Sequence, residues 1–584
     1  MTRAKWALIA FVVIFVAWRA LFLVYSVYVY DEEEVKTGAI ARIMMDGMKL
    51  PLLEHQPGDY EGGTFLFGLL AVPYMIVFGK GYLGLKMLAL TTSLLLALFS
   101  VLWIHKLEGV PGAVAAAVLW LFATPYVFQV AFIPWGNYAE TAMLSAITFY
   151  LLHTTVAQGR ITWLRVSALG FLFGLGVWVH YGFLVTVIVA LFAWALMDLR
   201  SLFSKKLTAL IGGGLVGFSP WFAYNITHYF WGLERFQDAA RPASGHGKIV
   251  RVAVRLFDLF TEDIPVALHL IVENVTVTKV MSYTYYLLFV ALAVALLFFL
   301  RDHIASLFRR MIPKNQDAQG RIHIARLVPF LYFFGYAFVY CWTEYGLFST
   351  NWGDRDPETH VHIFVMLPAM IWIAAEGAGF LWRKNKIAAV LPVAAMALLG
   401  GIGQAQLIDF STSQTWRLGT DFRNEAPVIY MEIGSKWGRK HFELDRVADR
   451  LGDKEKRSFY YGAGIKFGLD HIDSFQVGLD KCLSLPERFM PYCQMGLGTG
   501  LASAGLVETS DLEARINIAP EPVRPFVVAG AAVGAIWFGR MDHPYLQKVR
   551  EIDFANLVPP IEMQAFPDFV RGHLHMAEVR PPKE

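Results

Sequence analysis

The chain has 584 residues, of which 56% are hydrophobic and only 17% charged, and its mean hydropathy is +0.45. A soluble protein carries closer to a quarter charged residues, so composition excludes an ordinary soluble enzyme and fits a polytopic membrane protein. The net charge of +3 is spread as short basic clusters between apolar runs, a pattern of membrane orientation and not of nucleic-acid binding.

The first element is an apolar run at 6–29. It is long enough to cross a bilayer, too long for a signal peptide and without a small-residue cleavage site, so it reads as a retained helix. Tyr30, Asp31, Glu32, Glu33 and Glu34 follow at once. Carboxylates at the end of a span hold acidic chemistry at the lipid–water boundary, where an enzyme acting on a lipid headgroup needs it. The competing reading is a solvated helix stop. Next, Val35, Ala39 and Ile43, with Ile40 and Met44, recur at helical spacing among charges. They predict an amphipathic helix in the interface, ended by the turn chemistry of Asp46-Gly47.

Further apolar runs lie at 82–104, 111–131, 140–156, 163–179, 182–199, 207–226, 281–300, 326–343, 361–381 and 386–404. The run 63–79 is short for a span and contains Pro73, so it is a marginal one. If it does not cross, the cytoplasmic loops collect Lys5, Lys106, Arg160, Arg165, Arg200, Lys205, Lys206, Arg309, Arg310 and Arg383, as the positive-inside rule requires. If it does cross, every later loop violates the rule. The expected topology is therefore about eleven spans with the N-terminus inside and 63–79 re-entrant or interfacial. Asp31, Trp135–Glu140, His180 and the loop 344–360 then lie on the outer face.

From about residue 405 the charge rises and long apolar runs stop. Segments 459–468, 492–502 and 526–539 are alike, each an aromatic-led run with closely spaced small residues. They predict a C-terminal, mainly helical soluble domain with a degenerate repeat. Their glycines lack the preceding strand and following Lys-Ser/Thr of a nucleotide loop. The fold class is thus mainly α, with a membrane helical bundle at 1–404 and a non-cytoplasmic helical domain at 405–584. Of the three cysteines, Cys341 lies in an apolar run. Cys482 and Cys493 either pair as a local disulfide in an oxidising compartment or stand as two free thiols.

The order of one span, DEEEVKTGAIARIMMDGMKLPL, then EHQPGDYEGGTFLFGLLAVPYMIVFGKGYLGLKML, resembles the GT-C superfamily of lipid-phosphosugar-dependent glycosyltransferases. The nearest types are the protein O-mannosyltransferases and the lipid A aminoarabinose transferases. The segment IPWGNYAET after the third span is also similar. The resemblance covers 1–230 well and 280–400 by architecture alone. It implies a sugar donor on a polyprenyl phosphate, a lipid, glycan or protein acceptor, and an inner-membrane enzyme working on the non-cytoplasmic face. It also implies an Asp-Glu pair, here Asp31 and Glu32, with Asp31 as base and Glu32 in reserve. Tyr60 falls in the Pro/Tyr-containing stretch. The Arg-Tyr pair that family members often carry before a late span is replaced here by RDPETHVHIFVMLP.

Asn137 and Glu140, beside Trp135 and Tyr138, are either hydrated groups at a helix entrance or candidate sugar contacts, or metal ligands as in metal-dependent relatives. No cofactor is assigned, and a divalent cation is left open. His180 is a third candidate, against a reading as a satisfied interfacial histidine. Arg355, nearly alone as a cation in the short outer loops, suits a bidentate phosphate contact or a salt bridge to Asp354 or Asp356. Lys80, Lys86, Lys248 and Arg251 are further phosphate candidates. His360 and His362 do not share a helical face, so no zinc site is expected. Two rival functions remain at this level: a lipid-linked-sugar flippase, for which no internal repeat among the spans is visible, and a non-catalytic scaffold using the C-terminal repeat.

Overall fold

The computed structural model describes residues 3–26, 29–31, 34–58, 62–234, 248–271, 274–309, 318–343, 361–411, 413–503, 509–537, 544–553 and 570. It divides into two compact units, Met1–Gly38 with Gly58–Asp421, and Ala39–Pro57 with Phe422–Glu584. Among the described residues there is no strand, only an isolated bridge between Gly81 and Asp421. Seven helices there are long and apolar enough to cross a membrane, and Gly63–Phe78, Trp163–Val179 and Leu367–Trp382 are shorter apolar helices.

The first unit contains α1 (Arg3–Tyr25), the start of α2 (Glu34–Asp46), α3 (Gly63–Phe78), α4 (Tyr82–Leu121), α5 (Pro125–Val130), α6 (Tyr138–Leu152), α7 (Trp163–Val179), α8 (Leu184–Leu202), α9 (Leu207–Thr227), α10 (Lys248–Asp258), α11 (Val275–Arg309), α12 (Val328–Trp342), α13 (Leu367–Trp382) and α14 (Lys386–Ala405). The predicted separation of 82–104 from 111–131 takes the form of a break within α4. Gly109 adopts φ +73 just before Pro111, a residue that can neither donate to the helix ladder nor fit against its preceding turn. Helices α7 and α9 meet backbone to backbone. A Cβ on Gly174 would lie 2.0 Å from the Gly214 carbonyl oxygen, and one on Gly217 would lie 2.2 Å from that of Phe171. Small residues at this spacing let two membrane helices approach closely. Elsewhere the core is aromatic. Trp103 and Trp372 cross edge-on at 5.3 Å, and Trp372 Nε1 donates to Ser100 Oγ at 2.7 Å.

Helix α2 corrects one expectation. It ends at Asp46, and Gly47 turns the chain at φ +94, as its sequence predicts. Its apolar face is not left open for lipid, because Ala39, Ile40, Ala41 and Ile43 are all buried.

The second unit takes in the segment 39–57 and stacks α15 (Ala426–Trp437), α16 (Asp453–Asp470), α18 (Met490–Ser503) and α19 (Arg524–Trp537), with α17 (Phe475–Leu483) between α16 and α18 in sequence. The look-alike segments are the cores of α16, α18 and α19. A Cβ on Gly462 would fall 1.8 Å from the Met431 oxygen, on Gly496 1.9 Å from that of Tyr461, and on Gly530 1.6 Å from that of Met495. Each repeat therefore uses glycine to seat its helix on the previous one. Cys482 of α17 and Cys493 of α18 are joined, with Cα atoms 5.5 Å apart.

Candidate functional site

Helix α1 stops at Tyr25 and not at Val29. The last carbonyls of a helix have no intrahelical donor and must find one elsewhere. Here Tyr30 Oη donates to the Leu23 oxygen at 3.0 Å, the Gln414 amide to that of Val24 at 2.7 Å, and the Asp409 amide to that of Tyr25 at 3.0 Å. The bonds from Asp409 and Gln414 tie the polar segment after α14 to the end of α1. They bring Arg417, on the single turn Thr415–Leu418, to Tyr30. The Arg417 guanidinium sits 4.9 Å from the Tyr30 ring centroid, within cation–π range. Among the described residues it has no carboxylate or hydrogen-bond partner. Burial, and then the Glu34 charge, push the Tyr30 phenol above its ordinary range, while Arg417 pulls it down. The hydroxyl therefore stays protonated as a donor.

Asp31 follows, half-buried. Its Oδ1 accepts from Trp135 Nε1 at 3.1 Å, and its amide donates to Glu34 Oε1 at 3.2 Å. The second bond holds the Asp31 backbone against the first residue of α2. The other Glu34 oxygen pairs with Lys86 Nζ at 2.6 Å, and both side chains are fully buried. Lys86 also donates to the carbonyls of Val29 and of Phe132, the latter at 3.2 Å. An ammonium has three donors, and all three are engaged. Lys86 therefore acts as a strut between α2, α4 and the chain after α5, with no donor left for a phosphate. Burial pushes the Glu34 carboxyl up to about 7, and the Lys86 ammonium works against that rise.

Trp135 is placed by its own loop. Thr37 Oγ1 donates to the Pro134 oxygen at 2.9 Å and Thr64 Oγ1 to that of Trp135 at 2.8 Å. Gly136 takes φ +87, and a Cβ on Gly63 would meet its oxygen at 1.7 Å. An aromatic row runs from Trp135 to Tyr138 at 5.4 Å and on to His180 at 5.6 Å. The structure thus groups Asp31, Trp135, Tyr138 and His180. Asn137 and Glu140 sit one turn along, at the start of α6. Glu140 is buried, and neither its Oε2 nor Asn137 Oδ1 has a hydrogen-bond partner among the described residues. Glu32, Tyr60 and Arg355 lie outside the described residues. No group of three or more His, Cys, Asp or Glu among the described residues is arranged to hold a metal ion.

Sequence reasoning passed over Arg417 because it follows the composition change at 405. The available signal was an aromatic–arginine pair, Trp416-Arg417, shortly after the last span. It gave Glu34 no partner because Lys86 lies 52 positions away.

No protein-family model matches this sequence, and no curated protein matches it. Among solved structures, ArnT from Cupriavidus metallidurans in the apo state is similar over 92% of this chain and 79% of that one, with a TM-score of 0.39 and 12% identity. ArnT from the same organism bound to undecaprenyl phosphate is similar over 93% and 82%, with a TM-score of 0.40 and 12% identity. At that similarity neither structure bears on the chemistry of this chain.

Proposed function

We propose that this chain is a membrane glycosyltransferase. It moves a sugar from a polyprenyl-phosphate donor to a hydroxyl or amine of a lipid, glycan or protein acceptor. It does so on the non-cytoplasmic face of the inner membrane, with about eleven spans and the N-terminus inside. The observation that carries the proposal is that an otherwise unengaged guanidinium, Arg417, lies over the ring of Tyr30, the residue next to the half-buried carboxylate Asp31. The resemblance of 1–230 to the GT-C enzymes supports the same reading.

The chemistry needs one group of each kind. The acceptor O–H or N–H gives its proton to the Asp31 carboxylate as its heteroatom bonds to the anomeric carbon. The bond from that carbon to the phosphate oxygen breaks, and the electron pair leaves on the phosphate. Arg417 stabilises that charge with a planar fork suited to phosphate oxygens. Trp135 orients Asp31 through its indole N–H. The Glu34–Lys86 pair fixes the Asp31 amide and the Val29 carbonyl without touching substrate. Asn137, Glu140 and His180 serve as sugar or acceptor contacts. Tyr60 and Arg355 join them, and Glu32 stands in reserve for Asp31.

The test is undecaprenyl phosphate binding to the purified full chain in nanodiscs, followed by native mass spectrometry. Arg417→Gln is expected to weaken binding by about tenfold or more. Arg417→Lys should restore it only in part, because a point charge lacks the bidentate fork. Asp31→Asn should leave it unchanged. Wild-type affinity in Arg417→Gln would remove the phosphate role from Arg417.

A further inference from the structure

The second unit holds a cavity of about 180 Å³ where the segment after α2 meets α15 and α16. This is smaller than the about 300–1,000 Å³ of sites for drug-sized ligands, and suits a headgroup or a single small ring. Its polar lining is Asp46, Lys49, Tyr430, Lys454, Glu455 and Ser458. Asp46 is already neutralised by Arg42 Nε at 2.9 Å. The other charges are not. Among the described residues Lys49, Lys454 and Glu455 have no ion pair or hydrogen bond, and the Tyr430 and Ser458 hydroxyls have no partner. Two ammonium groups and one carboxylate thus line one small cavity without pairing with each other.

The walls are held in advance. Gly47 turns the chain out of α2 at φ +94. Further along, Lys436 Nζ donates to the Gln56 oxygen at 2.5 Å and Trp437 Nε1 to Glu54 Oε2 at 3.1 Å. Leu50 and His55 of the same segment are buried, His55 edge-on to Tyr430. A site built this way spends little binding energy on ordering itself.

We propose that this cavity binds a small zwitterion, a phosphate monoester or diester that also carries an ammonium group. Lys49 and Lys454 take the phosphate, Glu455 takes the ammonium, and the hydroxyls of Tyr430 and Ser458 complete the phosphate contacts. Opposite charges left unpaired side by side favour a ligand that brings both signs, because a simple anion leaves Glu455 opposing it and a simple cation leaves the lysines opposing it. This inference uses none of the residues assigned to sugar transfer, so it stands or falls separately from that reaction.

The test uses O-phosphoethanolamine, inorganic phosphate and ethanolamine as probes, titrated by calorimetry into the full chain in phosphatidylglycerol nanodiscs, whose lipid carries no ammonium group. O-phosphoethanolamine is expected to bind at least tenfold more tightly than either part alone. Glu455→Gln should weaken it about tenfold while raising phosphate affinity, and Lys49→Gln with Lys454→Gln should weaken both. Nanodiscs containing phosphatidylethanolamine distinguish the source. Competition by the lipid means the cavity reads a lipid headgroup, and no competition means it reads a soluble ester. Equal affinities for phosphate and O-phosphoethanolamine, or no response to Glu455→Gln, would overturn the proposal. Circular dichroism of each variant shows that the helices of the stack remain folded.

Discussion

At the scale of single residues, the site depends on which polar groups are already satisfied. Lys86 has a lysine's charge and the right address for a phosphate contact, yet its three donors are spent on Glu34, Val29 and Phe132. Removing one member of a fully buried pair strands the other, at a cost of about 3–5 kcal/mol. Lys86→Met should therefore lower the thermal stability of the purified protein sharply. The double variant with Glu34→Gln should recover much of the loss, and a double variant no better than the single would show that the pair is not a unit. Trp135→Phe keeps the ring and removes one hydrogen bond to a charged group, worth about 1.5–3 kcal/mol. Turnover should fall by about tenfold or more, with undecaprenyl phosphate affinity unmoved. The positions of Asp31, Asn137, Glu140 and His180 at the ends of apolar runs could be read from the sequence. The place of Arg417 could not, because its approach to Tyr30 comes from carbonyls at the end of α1 that bond to residues some 390 positions later, and no local pattern encodes that.

At the scale of elements, the repeat in the second unit reads directly from small residues at close spacing, since only glycine fits where a Cβ would sit under 2 Å from a neighbouring carbonyl. Gly496→Val should separate α16 from α18. Overpacking costs about 1–3 kcal/mol, and hydrogen exchange should rise in both helices; unchanged protection would mean the stack tolerates a side chain there. The segment 39–57 gives a pH prediction. His55 is buried edge-on to Tyr430 at 6.3 Å, and burial lowers its pKa from the ordinary 6.5. Between the lowered value and 6.5 the unfolded segment binds more protons than the folded one, so stability rises with pH across that window and is lost as pH falls through it. Amides at 48–57 should be less protected at pH 5.5 than at 7.5 after correction for intrinsic exchange. His55→Phe should flatten the difference, and an equal pH dependence in that variant would assign it elsewhere. The burial of α2 was the element least legible in sequence, because spacing shows which residues share a face but not how many faces will be covered.

At the scale of the whole molecule, composition and run length pointed to a helical membrane protein, and among the described residues each apolar run in the first 404 falls mainly on helix. The recruitment of 39–57 into the second unit has no compositional signal, since it arises from contacts with helices hundreds of residues later. Orientation rests on basic residues in the short loops. With Cys482 and Cys493 joined and Cys341 buried, a cysteine at the exposed position Gln476 is a clean reporter. Gln476→Cys should react with a membrane-impermeant maleimide in intact spheroplasts, and labelling only after permeabilisation would place the second unit in the cytoplasm. The central claim is that this molecule transfers a sugar with Asp31 as the base. It is tested most directly by turnover of a polyprenyl-phosphate sugar by purified wild type and Asp31→Asn, which keeps size and hydrogen-bonding reach but removes basicity. A general base contributes about 10²–10⁴-fold, so release of polyprenyl phosphate should fall by that factor while binding of undecaprenyl phosphate stays at the wild-type level; wild-type turnover in Asp31→Asn would contradict the account.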